Sequence, residues 1–486
     1  MKPLSGVDAL FLHLETPETP MHVGSLHVFD LPDAYQGDFY ANVKRHIAQR
    51  LHLAPLFRRK LRTLPLGFAN PVWVEDAGID LDYHVRRVTL PRPGTQAQLE
   101  ACAAHIHSTL LDRSRPLWEA HVIDGLSGRQ VGMYIRFHHA MLDGAAGIAL
   151  ARIMLDRTPT PPKVSRASRN RAEGRPPRTA ALASAALRHD IAQYAKLVRR
   201  LPDLFSFLAG GEERPRGAGS RRSLAFGPRT PLNVSINGKR SIAALSLSLD
   251  KVKGVAQACD AKLNDVVLAI CSGALRKYLA RHGGIPEKPL IAGMPFSLRE
   301  SGNMDYSTQA TMTLVNLATD IADPVQRLRA IRDAAGVVKS GARRAKSLIP
   351  IDTPSLGAPW VLGALATLYG RSRVADVVTP IMNVVISNVP GPTHPMYLAG
   401  ARMGTCWPLS IVEHGMALNI TVVSYCGALD FGLVAAQRAI PDVHTLARAL
   451  EDAHAELLRV TGQLGKRVAS RGERAVEHHR NGRTRH

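Results

Sequence analysis

The sequence predicts a two-part α/β (α+β) chain in which mixed sheets pack against helices, and three observations carry that expectation. Segments of strand period and of helix period alternate through both halves. A Pro/Arg-rich run, Thr158 to Arg178, separates them. The 486 residues are enough for two or three domains and a large core. The expected organisation is an N-terminal domain over 1–156, a basic flexible linker and crossover helix over 157–235, a C-terminal domain over 236–464 and a basic disordered tail over 465–486.

Taken in order, Phe39 to Leu51 and Ala97 to Leu111 read as helices. Trp118 to Ile123 holds strand-forming residues, and Asp124-Gly125-Leu126-Ser127-Gly128 is a turn. Val131, Met133, Ile135 and Phe137 then recur every second residue, so a β-hairpin is expected. Its parity puts Arg136 and His138 opposite Phe137 on a half-buried strand. Gly144 to Leu155 is a helix whose small first residues would let backbones approach closely. A crossover helix is expected at Thr179–Leu208, after which Ser241–Leu249 is a strand and Asp250–Cys259 a short helix. Asn264–Arg281 is a longer helix, with apolar residues at Val267, Ile270, Leu275 and Leu279. Pro324–Leu348 and Pro441–Thr461 are further helices; Ile381–Ser387, Ile420–Tyr425 and Phe431–Ala435 are strands.

The chemistry concentrates where the hairpin ends, in Phe137-His138-His139-Ala140-Met141-Leu142-Asp143-Gly144. A neutral imidazole takes a proton readily near pH 7, and a strand tip closed by an Asp-Gly turn holds it still. Chance doublets occur among 20 histidines, as at His478-His479, but the full His-His-x-x-x-Asp-Gly spacing is much rarer. Asp143 reads as a second general acid or as a helix N-cap that pairs with an arginine. No Gly-x-Ser-x-Gly elbow is present, and Cys271 and Ser272 sit inside a helix as core residues.

At these residues the chain resembles the superfamily of CoA-dependent acyltransferases that includes chloramphenicol acetyltransferase and peptide-synthetase condensation domains. Further stretches resemble the bacterial wax ester synthase/diacylglycerol acyltransferase family. They are Leu4-Ser5-Gly6-Val7-Asp8, Pro20-Met21-His22-Val23-Gly24, Phe57-Arg58-Arg59-Lys60-Leu61, Pro116-Leu117-Trp118, Asn264-Asp265, Pro295-Phe296-Ser297-Leu298-Arg299, Ser387-Asn388-Val389-Pro390-Gly391-Pro392 and Asn419 through Gly432. The ordered set spans roughly residues 4 to 460.

The resemblance implies two chloramphenicol acetyltransferase-like domains with an active-site tunnel at their interface. It implies acyl transfer from long-chain acyl-CoA to diacylglycerol, a fatty alcohol or both. His139 is the expected general base, a role worth ~10²–10⁴-fold. His138 supports it, Asp143 is structural and Gly144 forms the turn. Asn264 is either an oxyanion donor or the N-cap of its helix; Asp265 and Arg299 are expected substrate-binding residues, with Arg299 a partner for Asp143. Acyl-CoA is a substrate, and neither a cofactor nor a metal is expected. A different acceptor, such as a carrier-bound amine or a sugar or polyketide alcohol, is an alternative. So is a non-catalytic acyl-CoA- or lipid-binding protein.

Composition narrows the partners. The net charge is +22, and residues 157–178 (seven Lys/Arg, one Glu) and 465–486 (seven Lys/Arg, two Glu) supply half of it. A basic surface implies an anionic partner. No aromatic stacking set accompanies it, so nucleic acid is not expected. An anionic membrane or lipid-droplet surface and the phosphates of CoA fit; charge that serves only solubility is the alternative. No run of eighteen apolar residues suggests a spanning helix. The apolar stretch from Ala358 to Tyr369 reads as buried core or as a membrane contact. The first residues lack a signal peptide, and the five scattered cysteines read as reduced. A cytoplasmic protein, peripheral on the inner membrane face, is expected.

Overall fold

The computed structural model describes residues 2–4, 6–63, 70–76, 78–142, 144–162, 226–297, 310–345, 368–370 and 372–481. Asp143, Arg299, the expected crossover helix and most of the apolar run after Ala358 lie outside them.

The N-terminal half begins with strand β1 (Lys2–Pro3), helix α1 (Gly6–Leu14) and strand β2 (His22–Asp30). Helix α2 (Phe39–Arg50) starts on Asp38, whose carboxylate accepts the Ala41 N–H. Strands β3 (Arg59–Arg62) and β4 (Val72–Glu75), the short helix α3 (Leu81–His84) and strand β5 (Val85–Thr89) follow. Thr95 and Gln98 form a capping box for α4 (Gln96–His107). The expected hairpin is β6 (Trp118–Asp124) and β7 (Gln130–His138), and the helix after it is α5 (Gly144–Met154).

The C-terminal half contains β8 (Arg240–Ser248), α6 (Leu249–Ala258), α7 (Leu263–Arg281), β9 (Ile291–Ser297), β10 (Ala310–Asn316) and α8 (Pro324–Ala345). After these come β11 (Val384–Pro390), β12 (Tyr397–Leu398), β13 (Ala401–Met403), β14 (Trp407–Leu409), β15 (Leu418–Tyr425), β16 (Ala428–Ala436) and α9 (Val443–Asn481). Helix α7 is apolar on every side because it is the core of this half, buried from Asp265 through Leu275. Helix α9 continues to Asn481, where the sequence reading placed a disordered tail. No proline interrupts the backbone between Pro441 and that point, and neither the charge nor the glycines Gly462, Gly465 and Gly472 end the helix.

Two mixed sheets carry the fold. The C-terminal sheet runs β10-β9-β11-β15-β16-β8, with β11 parallel to β9 and β15. The N-terminal sheet runs β12-β13-β2-β7-β6-β5, and β14 also pairs with β2. Three strands from late in the chain thus complete the N-terminal sheet, with Trp407 opposite Leu26 and Leu409 opposite Gly24.

Contacts between the halves are both apolar and polar. Leu26, Tyr134, Leu99, Ile242, Trp407 and Val434 share one buried cluster. Strand β8 is the edge of its sheet, and α4 covers it: Gln96 Nε2 donates to the Ala244 carbonyl (2.9 Å), and Glu100 Oε1 accepts the Ala244 N–H (2.9 Å). Side chains of one half thereby satisfy edge backbone of the other.

Candidate active site

Strand β7 delivers the histidine pair, and two backbone hydrogen bonds fasten it. The His138 N–H donates to the Leu117 carbonyl (3.0 Å) and the His139 N–H to the Met21 carbonyl (2.8 Å). The segments Pro116-Leu117-Trp118 and Pro20-Met21-His22 therefore grip the pair from its two neighbouring strands. Trp118 is fully buried, and its indole N–H donates to the Phe57 carbonyl (2.9 Å) while its ring meets Phe57 edge-on. A large side chain with its one donor satisfied fixes the strand beside the histidines.

The two imidazoles occupy different environments. His138 is fully buried, and its Nδ1 accepts the Ala140 N–H (3.1 Å). That bond puts the ring proton on Nε2, which lies 3.3 Å from Glu15 Oε1. His139 is half-buried, with its ring stacked on Phe11 at a centroid distance of 4.0 Å and an angle of 14°. His138 thus has its ring committed inside the protein, whereas His139 lies at a partly open position against an aromatic face.

Glu15 is the anchor behind the pair. Oε1 accepts the Met21 N–H (3.1 Å), and Oε2 accepts from Arg113 Nε (3.0 Å) and Nη2 (2.7 Å). Burial pushes the Glu15 carboxyl up, but His138, Arg113 and the Met21 N–H outweigh it and hold the group at about 2. The residue had no place in the sequence reading. Its signal is an acid directly after the apolar helix α1, ahead of Pro17 and Pro20.

The parity of β7 is as expected, but its exposure is not. The strand is buried on both faces, because the Tyr134/Arg136/His138 face holds a closed polar network. Arg136 donates to Glu119 Oε2 (2.7 Å) and to the carbonyls of Ile106 (2.5 Å) and Thr109 (2.6 Å). Burial would raise the Glu119 carboxyl; His121 and Arg136 reverse this and hold it at about 2. His107 Nε2–H donates to the Ser410 carbonyl (3.2 Å), so its Nδ1 accepts the Tyr134 hydroxyl (2.6 Å), and burial keeps the ring neutral, at about 3. Ser410 follows β14, so this network also joins the halves.

Asn264 and Asp265 open helix α7. The N-cap is Lys262, not Asn264. Asp265 is buried, and its carboxylate accepts the Lys262 N–H (2.9 Å), which clamps the start of the helix. Asn264 is half-buried: its Nδ2 meets the Met294 sulfur (3.3 Å), and its Oδ1 faces Asn388 Nδ2 (3.5 Å). A thioether is a weak acceptor, so a stronger one could displace it. Asn388 lies on β11 beside Val389, which packs on the cluster holding Phe137, Met141 and Leu142. The start of α7 and the turn after the histidines therefore converge on one strand.

Gly144 opens α5 as expected. Within it, a Cβ on Gly147 would meet only Leu142, at an ordinary 3.6 Å, so no close backbone approach needs a glycine there. Cys271 and Ser272 are core residues: both are fully buried, Ser272 donates to the Leu317 carbonyl (2.6 Å), and burial pushes the Cys271 thiol up to about 12.

Residues 4–267 match the wax ester synthase/diacylglycerol acyltransferase catalytic domain, and residues 307–458 match the WS/DGAT C-terminal domain. The chain belongs to the wax ester synthase/diacylglycerol acyltransferase family. A Mycobacterium tuberculosis relative named as a diacylglycerol O-acyltransferase is 37% identical over 462 residues, covering 94% of this chain and 100% of its own. The O-acyltransferase WSD of Acinetobacter baylyi is 35% identical, covering 93% and 96%. The solved wax ester synthase/diacylglycerol acyltransferase of Marinobacter aquaeolei superposes with a TM-score of 0.68 at 31% identity, covering 95% and 100%. The starter condensation domain of rhizomide synthetase shares the fold at 14% identity (TM-score 0.55, covering 95% and 94%).

Proposed function

We propose that this WS/DGAT-family acyltransferase moves a long-chain acyl group from acyl-CoA to the hydroxyl of diacylglycerol, of a fatty alcohol or of both, with His139 as general base. The observation that carries the proposal is the contrast within the pair: His138 is sealed on Glu15, and His139 is half-buried with its backbone fixed on Met21.

His139 takes the acceptor's hydroxyl proton as the oxygen attacks the thioester carbonyl. The carbonyl oxygen becomes an oxyanion, and the Asn264 amide donates to it, exchanging a thioether contact for a charged acceptor. Collapse re-forms the carbonyl and breaks the C–S bond. The CoA thiolate then leaves with the proton that His139 held. No acyl-enzyme forms, so both substrates must sit together, and their alignment supplies the rest of the acceleration. Gly144 opens the helix that follows the pair. Diacylglycerol and fatty alcohols reside in lipid, and the +22 charge supports work from the cytoplasmic side on an anionic membrane or lipid-droplet surface.

The experiment is an acceptor series. Purified protein is given long-chain acyl-CoA with diacylglycerol, a fatty alcohol, an amine or no acceptor, and products are resolved by thin-layer chromatography. Triacylglycerol or wax ester formed together with free CoA supports the reading. An amide product, or binding of acyl-CoA without turnover, contradicts it.

A further inference from the structure

Away from the histidines, five of the exposed large apolar side chains of the described residues lie together, while others such as Leu53, Leu110 and Ile285 are scattered. Val377 is 75% exposed, Val378 54% and Ile381 60%, and Val374 begins the same loop. Phe226, 54% exposed, joins them, since the neighbouring Gly227 N–H donates to the Pro380 carbonyl (2.8 Å). Single exposed aliphatics are ordinary on a protein surface; a contiguous set of this kind is not.

The loop is held from below. Ala375 is buried under it, Asp376 turns inward to accept the Ser235 N–H (2.5 Å), and the buried Asn383 side chain donates to the Pro228 carbonyl (2.6 Å). Polar groups thus face the protein while the valines and the isoleucine face out. The border is cationic. Arg229, Arg373 and Arg438 are exposed around the loop, and the latter two lie close enough to Asp376 to help stabilise its charge. Apolar side chains rimmed by guanidinium groups match the layering of a phospholipid surface, with acyl chains beneath anionic phosphates.

We propose that the Val374–Ile381 loop, with Phe226, is the surface through which this protein sits on an anionic phospholipid membrane. The inference rests on the reading that the protein works at a lipid interface, and it names the part that enters it.

The test is flotation of the full chain with vesicles of phosphatidylglycerol and phosphatidylcholine, against pure phosphatidylcholine. Wild type, a Val377→Glu/Ile381→Glu variant and a Val377→Leu/Ile381→Leu variant are compared. The expected result is that wild type and the leucine variant float with the anionic vesicles, while the glutamate variant partitions about tenfold or more weakly. CoA release from a water-soluble short-chain acyl-CoA and alcohol stays equal in all three, which separates docking from catalysis. Equal flotation of wild type and the glutamate variant overturns the proposal while leaving the lipid reading intact. Absence of wild-type flotation overturns both, without touching acyl transfer. A wild-type dimer that the glutamate pair turns into a monomer, with flotation unchanged, assigns the loop to a second copy of the chain instead.

Discussion

Glu15 Oε1 and His138 Nε2 face each other at 3.3 Å, with both side chains all but closed to solvent (2% and 0% exposed). The same carboxylate oxygen holds the Met21 N–H, and the Met21 carbonyl holds the His139 N–H. One buried acid thus positions both histidines, the first through its ring and the second through its backbone.

Removing that acid should cost stability and rate separately. Glu15→Ala leaves His138 facing no carboxylate and Arg113 with only the Leu12 carbonyl, and should lower stability by roughly 3 kcal/mol, the low end for a broken buried pair because Arg113 is itself half exposed. Glu15→Gln keeps the shape and most contacts. It should fold, yet lose about ten- to a hundredfold in kcat with little change in KM, as a misplaced base would. Urea denaturation and steady-state kinetics on the two variants check this.

Acid should act through the same group. The folded protein holds the Glu15 carboxyl at about 2, well below its ordinary 4.5. Its stabilising contribution is therefore complete above the ordinary value and is lost as pH falls from there toward 2. Glu119, also held at about 2, adds to the loss over the same window. Stability measured against pH should fall across that window in wild type and less steeply in Glu15→Gln. Equal slopes would contradict the role of this carboxylate.

Asn264 and Asp265 are adjacent, but their substitutions should behave differently. Asn264→Ala should lower kcat by about 10²–10³-fold with stability nearly unchanged, the signature of a lost oxyanion donor. Asp265→Ala removes the acceptor for the Lys262 N–H and should cost about 1 kcal/mol of stability while active protein retains its kcat. Kinetics and thermal unfolding of both variants separate chemistry from helix capping.

These assignments mark where local pattern stops being informative. The β6–β7 hairpin, helix α7 and the strand-tip position of the histidines were legible because each follows from period and turn chemistry over a dozen residues. The closure of β7 on its polar face was not: alternation of apolar and polar residues reads the same whether the polar face meets water or a network such as Arg136–Glu119. Nor was the Glu15–His138 contact, which joins distant parts of the chain. The pairing of β14 with β2 depends on strands that are remote in sequence and too short to carry a period. Of the two roles open for Asn264, the N-cap falls to Lys262, two residues earlier, which caps through its backbone and offers no typical capping side chain.

The β14 crossing makes Gly432 sensitive. A Cβ there would lie 1.7 Å from the Pro408 carbonyl oxygen, which backbone adjacent to β2 cannot yield without moving. Gly432→Ala should destabilise the junction of the two halves by about 1–3 kcal/mol or more. Ala428→Ser, on the same strand but half-buried at its end, should be nearly neutral. Thermal unfolding of the pair reads the difference.

The role of residue 139 is tested most directly by release of free CoA thiol from long-chain acyl-CoA in the presence of an alcohol acceptor, comparing wild type with folded His139→Ala. Loss of the general base predicts a rate lower by ~10²–10⁴-fold. Equal rates in the two proteins would contradict the assignment of His139.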